Sequence, residues 1–500
     1  MSRIVALVGL AMALALVLPG NTEAANLNEI KKLVASDAEA DDWFGRSVSV
    51  SGDTVIVGAN FEDHPGAVFF IVNGGAAYVY QRNHGGADSW GEVKKLIASD
   101  SQPHDHFGHA VAVSGDTAIV GARSEDTGGS NAGAAYVFQR DQGGPDNWGE
   151  VTKLTAADAH AGDEFGRSVA VSGNTILVGA LAEDAAGIDA GAVYVFERNE
   201  GGADNWGQVA KLTASDAQTE DFFGVSVAVS GDNVIVGASS EDAGGSDAGA
   251  GYVFQRNQGG ADSWGEVTKL TASDAQNGDF FGASVAVEGD SAIVGASSED
   301  AGGSNAGAGY VFQRDEGGAN NWGEVTKLTA SDAQPEDEFG ASVAISGASA
   351  IVGAPVEAVG GPFAGAAYAF ERDQGGVDNW GEVTKITASD AQAVDFFGNS
   401  VAVSGDTAVA GALWEDAGGD LAGAAYVFDL LLPKPTATPR PTSGPLPVGG
   451  IALDAELRAL PLETGDPDGY TWGVLSTIIV TASLAVAGGA AWYARRRSLS

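Results

Sequence analysis

The chain has 500 residues, a formal net charge of −42 from 67 acidic and 25 basic residues, and no cysteine. The acidic excess repels nucleic acid and anionic lipid, so cations and basic proteins remain as charged partners. Disulfide bonds, thiolate catalysis and cysteine metal sites are excluded. We therefore expect no nucleic-acid partner.

The first 25 residues have the pattern of a secretory signal. Ser2-Arg3 precedes an apolar run from Ile4 to Leu18, and small residues follow up to Ala24-Ala25. We interpret residues 1–25 as a signal peptide, which predicts that the remainder of the chain is exported.

A Phe-Gly dipeptide recurs seven times, and after the first interval the step is always 58 residues. Each unit holds four short runs with strand character, A to D; in one unit they begin at Gly282, Ser291, Gly307 and Glu324. Such units cannot bury their apolar faces alone and are typical of a radial array. The sequence predicts an all-β fold, a seven-bladed β-propeller of four-stranded blades over residues 26–432.

We expect the seven dipeptides to be structural. They are Phe44-Gly45, Phe107-Gly108, Phe165-Gly166, Phe223-Gly224, Phe281-Gly282, Phe339-Gly340 and Phe397-Gly398.

The N-terminal segment is predicted to close the ring. Residues 29–37 match the D run of another unit, residues 324–332, whereas the last unit ends after its C run at Phe428. The strand missing from the last blade is therefore present at the other end of the chain, and the first strand should pair with the last.

Two connections inside the unit have a regular chemistry. Runs A and B are joined by a two-residue turn led by glycine, such as Gly289-Asp290, which suits a type II′ hairpin. Six C–D connections carry a tryptophan, which is either a sugar-stacking platform or, as we favour, an apolar clip for its own hairpin. The six are Trp90, Trp148, Trp206, Trp264, Trp322 and Trp380.

The B–C and D–A loops should share one face of the ring, because neighbouring strands run antiparallel, and both loops are rich in carboxylates. Asp216, Asp221, Glu241 and Asp242, with their equivalents in other blades, are candidate Ca²⁺ ligands, since oxygen donors on Gly-rich loops suit that ion. The alternative, which we favour, is a solvated acidic surface that keeps an extracellular protein soluble. We expect no other cofactor.

Three of the six histidines lie close together before the second blade. His104, His106 and His109, with Asp100 or Asp105, are candidate ligands of a transition metal. The alternative is that they are exposed loop histidines, and we favour it because the feature occurs in one unit alone.

The first unit is five residues longer than the others, and its B–C loop contains Phe69, Phe70 and Ile71. An apolar insertion on an acidic rim is a candidate ligand-docking loop. The alternative, which we favour, is an extra strand that packs against its own blade.

The end of the chain has the composition of a stalk and a membrane anchor. Residues 433–469 are rich in Pro, Thr and Gly and should be extended. Residues 473–494 carry no charge and would form a helix of about 33 Å, enough to span a hydrocarbon core of about 30 Å. The basic tail, 495–500, should lie in the cytoplasm.

A segment near the end of the stalk, Leu460-Pro-Leu-Glu-Thr-Gly465, resembles a sortase signal with one residue too many. We therefore favour plain membrane anchoring through the C-terminal transmembrane helix over transfer to the cell wall.

The units resemble FG-GAP repeats, which build the propeller of integrin alpha subunits and occur in bacterial surface proteins. Phe281-Gly282 stands for the first half of the motif, and the sixth unit spells the second half as Gly353-Ala354-Pro355. The resemblance implies a seven-bladed propeller. The family's calcium loop lies between strands A and B, where this chain has a bare Gly-Asp turn, so no metal ligand is carried over.

Together these features predict a membrane-anchored cell-surface propeller that acts as an extracellular adhesion or ligand-binding module. Its partner would be an unidentified extracellular protein or glycan, and we expect no enzymatic activity. One alternative is a structural coat protein without a specific ligand, which the near-identity of the middle units favours. A less favoured alternative is a hydrolase with a pair of catalytic carboxylates on the acidic face.

Overall fold

The computed structural model describes residues 27–65 and 70–430. These residues form seven four-stranded antiparallel sheets and one two-stranded sheet. Among them no helix is long and apolar enough to cross a membrane. The predicted signal peptide, stalk, transmembrane helix and basic tail lie outside the described residues.

The strands follow one another in the order A, B, C, D within each blade. Strand β1 is Asn28–Leu33, and blade 1 holds β2 (Phe44–Ser51), β3 (Thr54–Ala59), the short β4 (His64–Pro65) and β5 (Phe70–Ile71), β6 (Ala76–Gln81) and β7 (Gly91–Leu96). Blade 2 holds β8 (Phe107–Ser114), β9 (Thr117–Ala122), β10 (Ala134–Gln139) and β11 (Gly149–Leu154). Blade 3 holds β12 (Ser168–Ser172), β13 (Thr175–Ala180), β14 (Ala192–Arg198) and β15 (Trp206–Leu212).

The remaining blades repeat this arrangement. Blade 4 holds β16 (Ser226–Ser230), β17 (Asn233–Ala238), β18 (Ala250–Arg256) and β19 (Trp264–Leu270), and blade 5 holds β20 (Phe281–Glu288), β21 (Ser291–Ala296), β22 (Ala308–Gln313) and β23 (Gly323–Leu328). Blade 6 holds β24 (Ser342–Ser346), β25 (Ser349–Ala354), β26 (Ala366–Glu371) and β27 (Gly381–Ile386), and blade 7 holds β28 (Phe397–Ser404), β29 (Thr407–Ala412) and β30 (Ala424–Asp429).

The predicted ring closure is confirmed. Strand β1 pairs antiparallel with β30, with Glu29 opposite Phe428 and Lys32 opposite Tyr426. Blade 7 therefore takes its outer strand from the beginning of the chain. As a result the repeat in the sequence runs D-A-B-C, and each repeat contributes strands to two neighbouring blades.

The core lies between the blades. Strands B and C are apolar except at the end next to the A–B or C–D turn, and in β3 every residue is buried, because a blade is covered on both faces by its neighbours. Each apolar cluster accordingly mixes two blades; one joins Ile235 and Leu270 of blade 4 to Phe281 and Tyr310 of blade 5. Burial on two faces explains why these runs are uniformly apolar instead of alternating.

The Phe-Gly dipeptide forms the seam between blades. Phe281 is completely buried and packs edge-on against Tyr310 of its own blade, with the ring centroids 5.4 Å apart. Gly282 has φ +94°, and a Cβ built on it would lie 2.3 Å from the carbonyl oxygen of Ala250 in blade 4. Only glycine allows this approach of two backbones.

Two further hydrogen bonds link each blade to the next near the central channel. Ser284 Oγ donates to the carbonyl oxygen of Gly340 at 2.7 Å, and blade 2 lacks the equivalent bond because it has Ala110 at this position. At the A–B turn the Gly289 amide donates to Ser230 Oγ of blade 4 at 3.1 Å. Gly289 has φ +57°, as the predicted type II′ turn requires.

Candidate functional site on the loop face

The B–C and D–A loops lie together on one face of the ring, which we call the loop face. Seven equivalent ion-pair clusters join neighbouring blades there. In blade 4, Lys269 Nζ lies 2.7 Å from Glu241 Oε1 and 2.8 Å from Asp216 Oδ2, and the Tyr252 hydroxyl donates to Asp216 Oδ1 at 2.8 Å. Asp216 follows the last strand of blade 3, so each cluster fastens one blade to the previous one. The other six lysines are Lys32, Lys95, Lys153, Lys211, Lys327 and Lys385.

The lysine and the aspartate of each cluster hold their charges although they are partly buried. Glu241 is 1 % exposed. Burial opposes the charge on Lys269, but its hydrogen bonds to Asp216 and Glu241 outweigh that effect and raise the pKa of Lys269 above its ordinary value. Burial likewise opposes ionisation of Asp216, whereas the bonds from Lys269 and Tyr252 hold the pKa of Asp216 below its usual range. Two carboxylates in each of the seven clusters are therefore matched to a lysine in a structural role.

All four calcium candidates have partners from the protein. Asp216 and Glu241 share the Lys269 ammonium, Asp221 Oδ2 accepts the Gln218 amide at 2.6 Å, and Asp242 Oδ1 accepts the Asp247 amide at 2.9 Å. In the part of the chain that the structure describes, no three histidine or acidic side chains are grouped as metal ligands would be. Calcium binding stays a prediction, and an ion between Asp216 and Glu241 would have to displace the lysine.

A second set of seven aspartates lies two residues before each Phe-Gly, and each caps a backbone amide. Burial raises the pKa of Asp42 and of Asp105 to about 7, although the hydrogen bond from a backbone amide opposes the effect in both. The pKa of Asp395 rises to about 6 for the same reason. The pKa values of these three aspartates therefore lie near neutral pH, and burial also raises the pKa of the other four, Asp163, Asp221, Asp279 and Asp337.

The three clustered histidines have three different environments. His104 is exposed, and His106 is half-buried with Nδ1 3.2 Å from Ser124 Oγ; the centroids of these two rings lie 6.4 Å apart. His109 is buried, so the prediction of exposed loop histidines is wrong for this residue, because it follows Phe-Gly and enters strand β8. Burial lowers the pKa of His106 to about 4, with Arg123 adding to the effect.

The insertion in blade 1 forms a small hairpin of its own. Strands β4 and β5 pair antiparallel, with His64 opposite Ile71 and Pro65 opposite Phe70. Ile71 is buried, and His64 Nδ1 lies 3.0 Å from Glu62 Oε2. Phe69 lies outside the described residues. Ile71 is therefore covered and offers little apolar surface to a partner, and the side chain of Phe70 lies outside the described part of the chain.

The six tryptophans of the C–D connections are all buried, and the most accessible of them, Trp264, is 9 % exposed. Their burial leaves no ring face for a sugar, which excludes the stacking platform and supports the clip. In blade 1 the Arg82 guanidinium covers the Trp90 ring at 5.1 Å from its centroid.

Where the repeats differ from one another, the loop face carries a continuous row of aromatic rings. We call this row the aromatic arc. It consists of Phe363, Phe396, Trp414, Trp43, Phe61 and His106, and it extends over blades 6, 7, 1 and 2. Its successive ring centroids are 5.7, 4.6, 5.9, 4.3 and 4.9 Å apart. Phe363 is 45 % exposed and the other five rings are half-buried, so the arc presents an apolar surface to solvent.

The arc ends where small residues replace Phe61 and Trp414. Phe61 and Trp414 follow the second half of the motif, and blades 3, 4 and 5 have Ala182, Ser240 and Ser298 at that position. Phe280, in the position of Trp43, is 36 % exposed, and within the described residues it makes no ring–ring contact. Within the described residues the connected row of rings is thus confined to blades 6, 7, 1 and 2, whereas Phe222 and Phe280 are separate rings in blades 4 and 5.

One known family model matches all seven repeats of the propeller. The model described as "FG-GAP repeat" matches residues 27–80, 90–138, 148–196, 206–254, 264–312, 322–370 and 380–428. The chain belongs to the FG-GAP repeat family. A search of curated proteins found no match.

Among solved structures, the chain is similar to one chain of "Crystal Structure of Mitotic Checkpoint Complex", at 12 % identity and a TM-score of 0.48. The alignment covers 86 % of this chain and 98 % of that one. A likeness of this size says nothing about ligands. Family membership explains the Phe-Gly seams but leaves the aromatic arc unexplained, since the arc consists of residues in which the repeats of this chain differ.

Sequence reasoning missed the arc, although a signal was present. Phe61 and Trp414 occupy equivalent positions after the second half of the motif, where blades 3, 4 and 5 have small residues, and Trp43 and Phe396 occupy equivalent positions before Phe-Gly. Alignment of the repeats by position, with attention to their differences, would have found them.

Proposed function

We propose that this FG-GAP protein is a ligand-binding or adhesion module of the cell surface, and that the aromatic arc is where its ligand binds. FG-GAP propellers are typically non-enzymatic, which agrees with a binding role. The predicted signal, stalk and membrane helix support display outside the cell with the propeller held away from the membrane.

The observation that carries the proposal is the asymmetry of the loop face. A coat protein without a specific ligand needs only the contacts that hold its blades together. These contacts are the Phe-Gly seams and the lysine ion-pair clusters, and they repeat around the ring. The arc departs from that repetition in four adjacent blades, and partly exposed aromatic rings in a contiguous patch are typical of binding surfaces. Buried packing alone does not require rings such as Phe363, which is 45 % exposed.

The test is binding of the full-length protein, in detergent micelles or nanodiscs, to arrays of glycans and extracellular matrix proteins. Any ligand found is then titrated against Phe61→Ala and Trp414→Ala. Phe280→Ala is the matched control, because it removes an exposed ring on the other side of the same face. We expect each arc variant to weaken binding by at least tenfold and the control to leave it unchanged.

Two results would contradict the proposal. One is a ligand whose affinity is the same for the arc variants and for the unsubstituted protein, when both retain their thermal unfolding midpoints. The other is a control variant that loses as much affinity as the arc variants, since that would place the ligand elsewhere on the ring.

A further inference from the structure

The central channel of this acidic protein carries a cluster of basic residues. The residue after Phe-Gly lies at the start of the innermost strand of each blade. This residue is Arg46 in blade 1, His109 in blade 2, Arg167 in blade 3 and Asn399 in blade 7. Blades 4, 5 and 6 have Val225, Ala283 and Ala341 there. His109, Arg167 and Asn399 line a channel cavity of about 260 Å³.

The positive charges in this cluster exceed the negative ones. Arg123 Nη1 lies 3.1 Å from Glu164 Oε1, and Arg167 Nη1 lies 3.5 Å from Glu164 Oε2. Within the described residues Arg46 makes no ion pair and no side-chain hydrogen bond. Two guanidinium groups therefore share one carboxylate, and the third, that of Arg46, has no acidic partner among the described residues. Glu338, the other acidic residue at a position equivalent to Glu164, lies in blade 6 on the other side of the ring.

The pKa shifts of Arg46 and His109 agree with an excess of positive charge in this cluster. Burial lowers the pKa of Arg46 to about 10, and the charges that add to the shift, those of Arg167 and Arg123, are both positive. Burial and the same arginines hold the pKa of His109 well below its ordinary value, so its imidazole is neutral. In a chain with a net charge of −42, a site that repels further positive charge is unusual.

Three buried polar atoms near these basic residues have no hydrogen-bond partner among the described residues. They are His109 Nδ1, Asn399 Oδ1 and Arg123 Nε. His109 itself is 8 % exposed. Buried polar atoms in native proteins are almost always paired. His109 lines the channel cavity, so its unpaired Nδ1 indicates that a hydrogen-bond partner is missing there.

We propose that this axial cluster, Arg46, Arg123, Arg167 and His109, binds a compact oxyanion, namely a carboxylate, sulfate or phosphate group. Guanidinium groups bind such anions through paired N–H donors in a fixed planar geometry. An anion among the three arginines would relieve their mutual repulsion, and His109 can donate a hydrogen bond from its neutral ring. The site is separate from the aromatic arc, and neither proposal depends on the other.

The experiment is calorimetric titration of the full-length protein with sulfate, inorganic phosphate, acetate and galacturonate at pH 7 and constant ionic strength set with chloride. Galactose is the control for the sugar part of galacturonate, so the arms separate a free inorganic anion from a sugar carboxylate. Each titration is repeated with Arg46→Gln/Arg167→Gln. Arg198→Gln is the matched control, because Arg198 pairs with Asp204 on the outer side of blade 3.

We expect saturable binding of at least one oxyanion, an affinity at least tenfold lower in the double variant, and no change in the control. Arg46→Gln alone should raise the unfolding midpoint in anion-free buffer, because it removes repulsion, and should reduce the rise that the bound oxyanion produces in the unsubstituted protein. Absence of saturable binding in all four anion arms would overturn the proposal. Equal affinity in the double variant would do so too, as would a lower midpoint of Arg46→Gln in anion-free buffer.

Discussion

The seam between blades predicts an order of stability for three glycine-to-alanine variants. Gly289→Ala, Gly224→Ala and Gly282→Ala all place alanine at positive φ, at +57°, +93° and +94°. A left-handed backbone costs a non-glycine residue about 1–2 kcal/mol, and the three variants share this cost. They differ in what the new Cβ meets, so the differences between them measure the closeness of the seam.

The added steric cost follows from the distances. At Gly289 a Cβ has no atom within 4 Å, at Gly224 it lies 2.7 Å from the Ala192 carbonyl oxygen, and at Gly282 it lies 2.3 Å from that of Ala250. Real Cβ contacts are essentially never below 3.0 Å, so the seam at Gly282 must open by about 0.7 Å. Overpacking of this kind costs about 1–3 kcal/mol. Gly282→Ala should therefore lose about 2–5 kcal/mol and Gly289→Ala about 1–2 kcal/mol, with Gly224→Ala between them.

The assay is urea unfolding followed by tryptophan fluorescence and by circular dichroism, and coincident transitions establish that one free energy describes the ring. Equal losses in the three variants would refute the reasoning, because they would show that left-handed backbone strain, and not the contact between blades, is what the glycines provide.

Two further predictions concern the charges of the loop face. Lys327→Met leaves the buried Glu299 and its neighbour Asp274 without a cation, so the free energy of unfolding should fall by about 3 kcal/mol. Glu299→Gln in the same chain should recover part of that loss. A double-mutant cycle of urea unfolding measures the coupling, and additive losses would contradict a coupled cluster. The pKa of Asp42 and of Asp105 is raised to about 7 in the folded state, whereas an aspartate of the unfolded chain titrates near pH 4. Between these two pH values the folded state therefore binds protons that the unfolded chain has released. Stability should therefore fall as pH rises from about 4 to 7, and Asp42→Asn/Asp105→Asn should flatten this slope; an unchanged slope in melting experiments would contradict the assignment.

Much of the fold could be predicted because it depends on local and periodic signals. The 58-residue period, the Gly-Asp turns and the extra D run at residues 29–37 together predicted the number of blades and the closing strand. The burial of the tryptophans followed from their regularity, since a position that repeats in six blades serves the blade and not a single ligand.

The parts that could not be predicted depend on contacts between distant residues. Lys269 and Asp216 are 53 residues apart, and in the sequence each resembles an ordinary surface charge. Trp43 and Trp414 are neighbours only because the ring closes, which brings blade 7 against blade 1. His109 resembles its loop neighbours in the sequence, yet it lies at the channel because the strand begins two residues earlier.

The closed ring is the central claim, because the aromatic arc combines blades 7 and 1, and Asn399 of blade 7 lines the channel cavity together with His109 and Arg167. Asn28 and Asp429 are opposite one another in the β1–β30 pair, and the chain has no cysteine of its own, so Asn28→Cys/Asp429→Cys provides a direct test. Gln313 in blade 5 occupies the position of Asp429, and Asn28→Cys/Gln313→Cys is the matched control. After mild oxidation, the first variant should lose both thiols to maleimide labelling and gain about 2–4 kcal/mol in stability, whereas the control keeps both thiols. Free thiols in the first variant, or a disulfide in the control, would contradict a ring closed by the N-terminal strand.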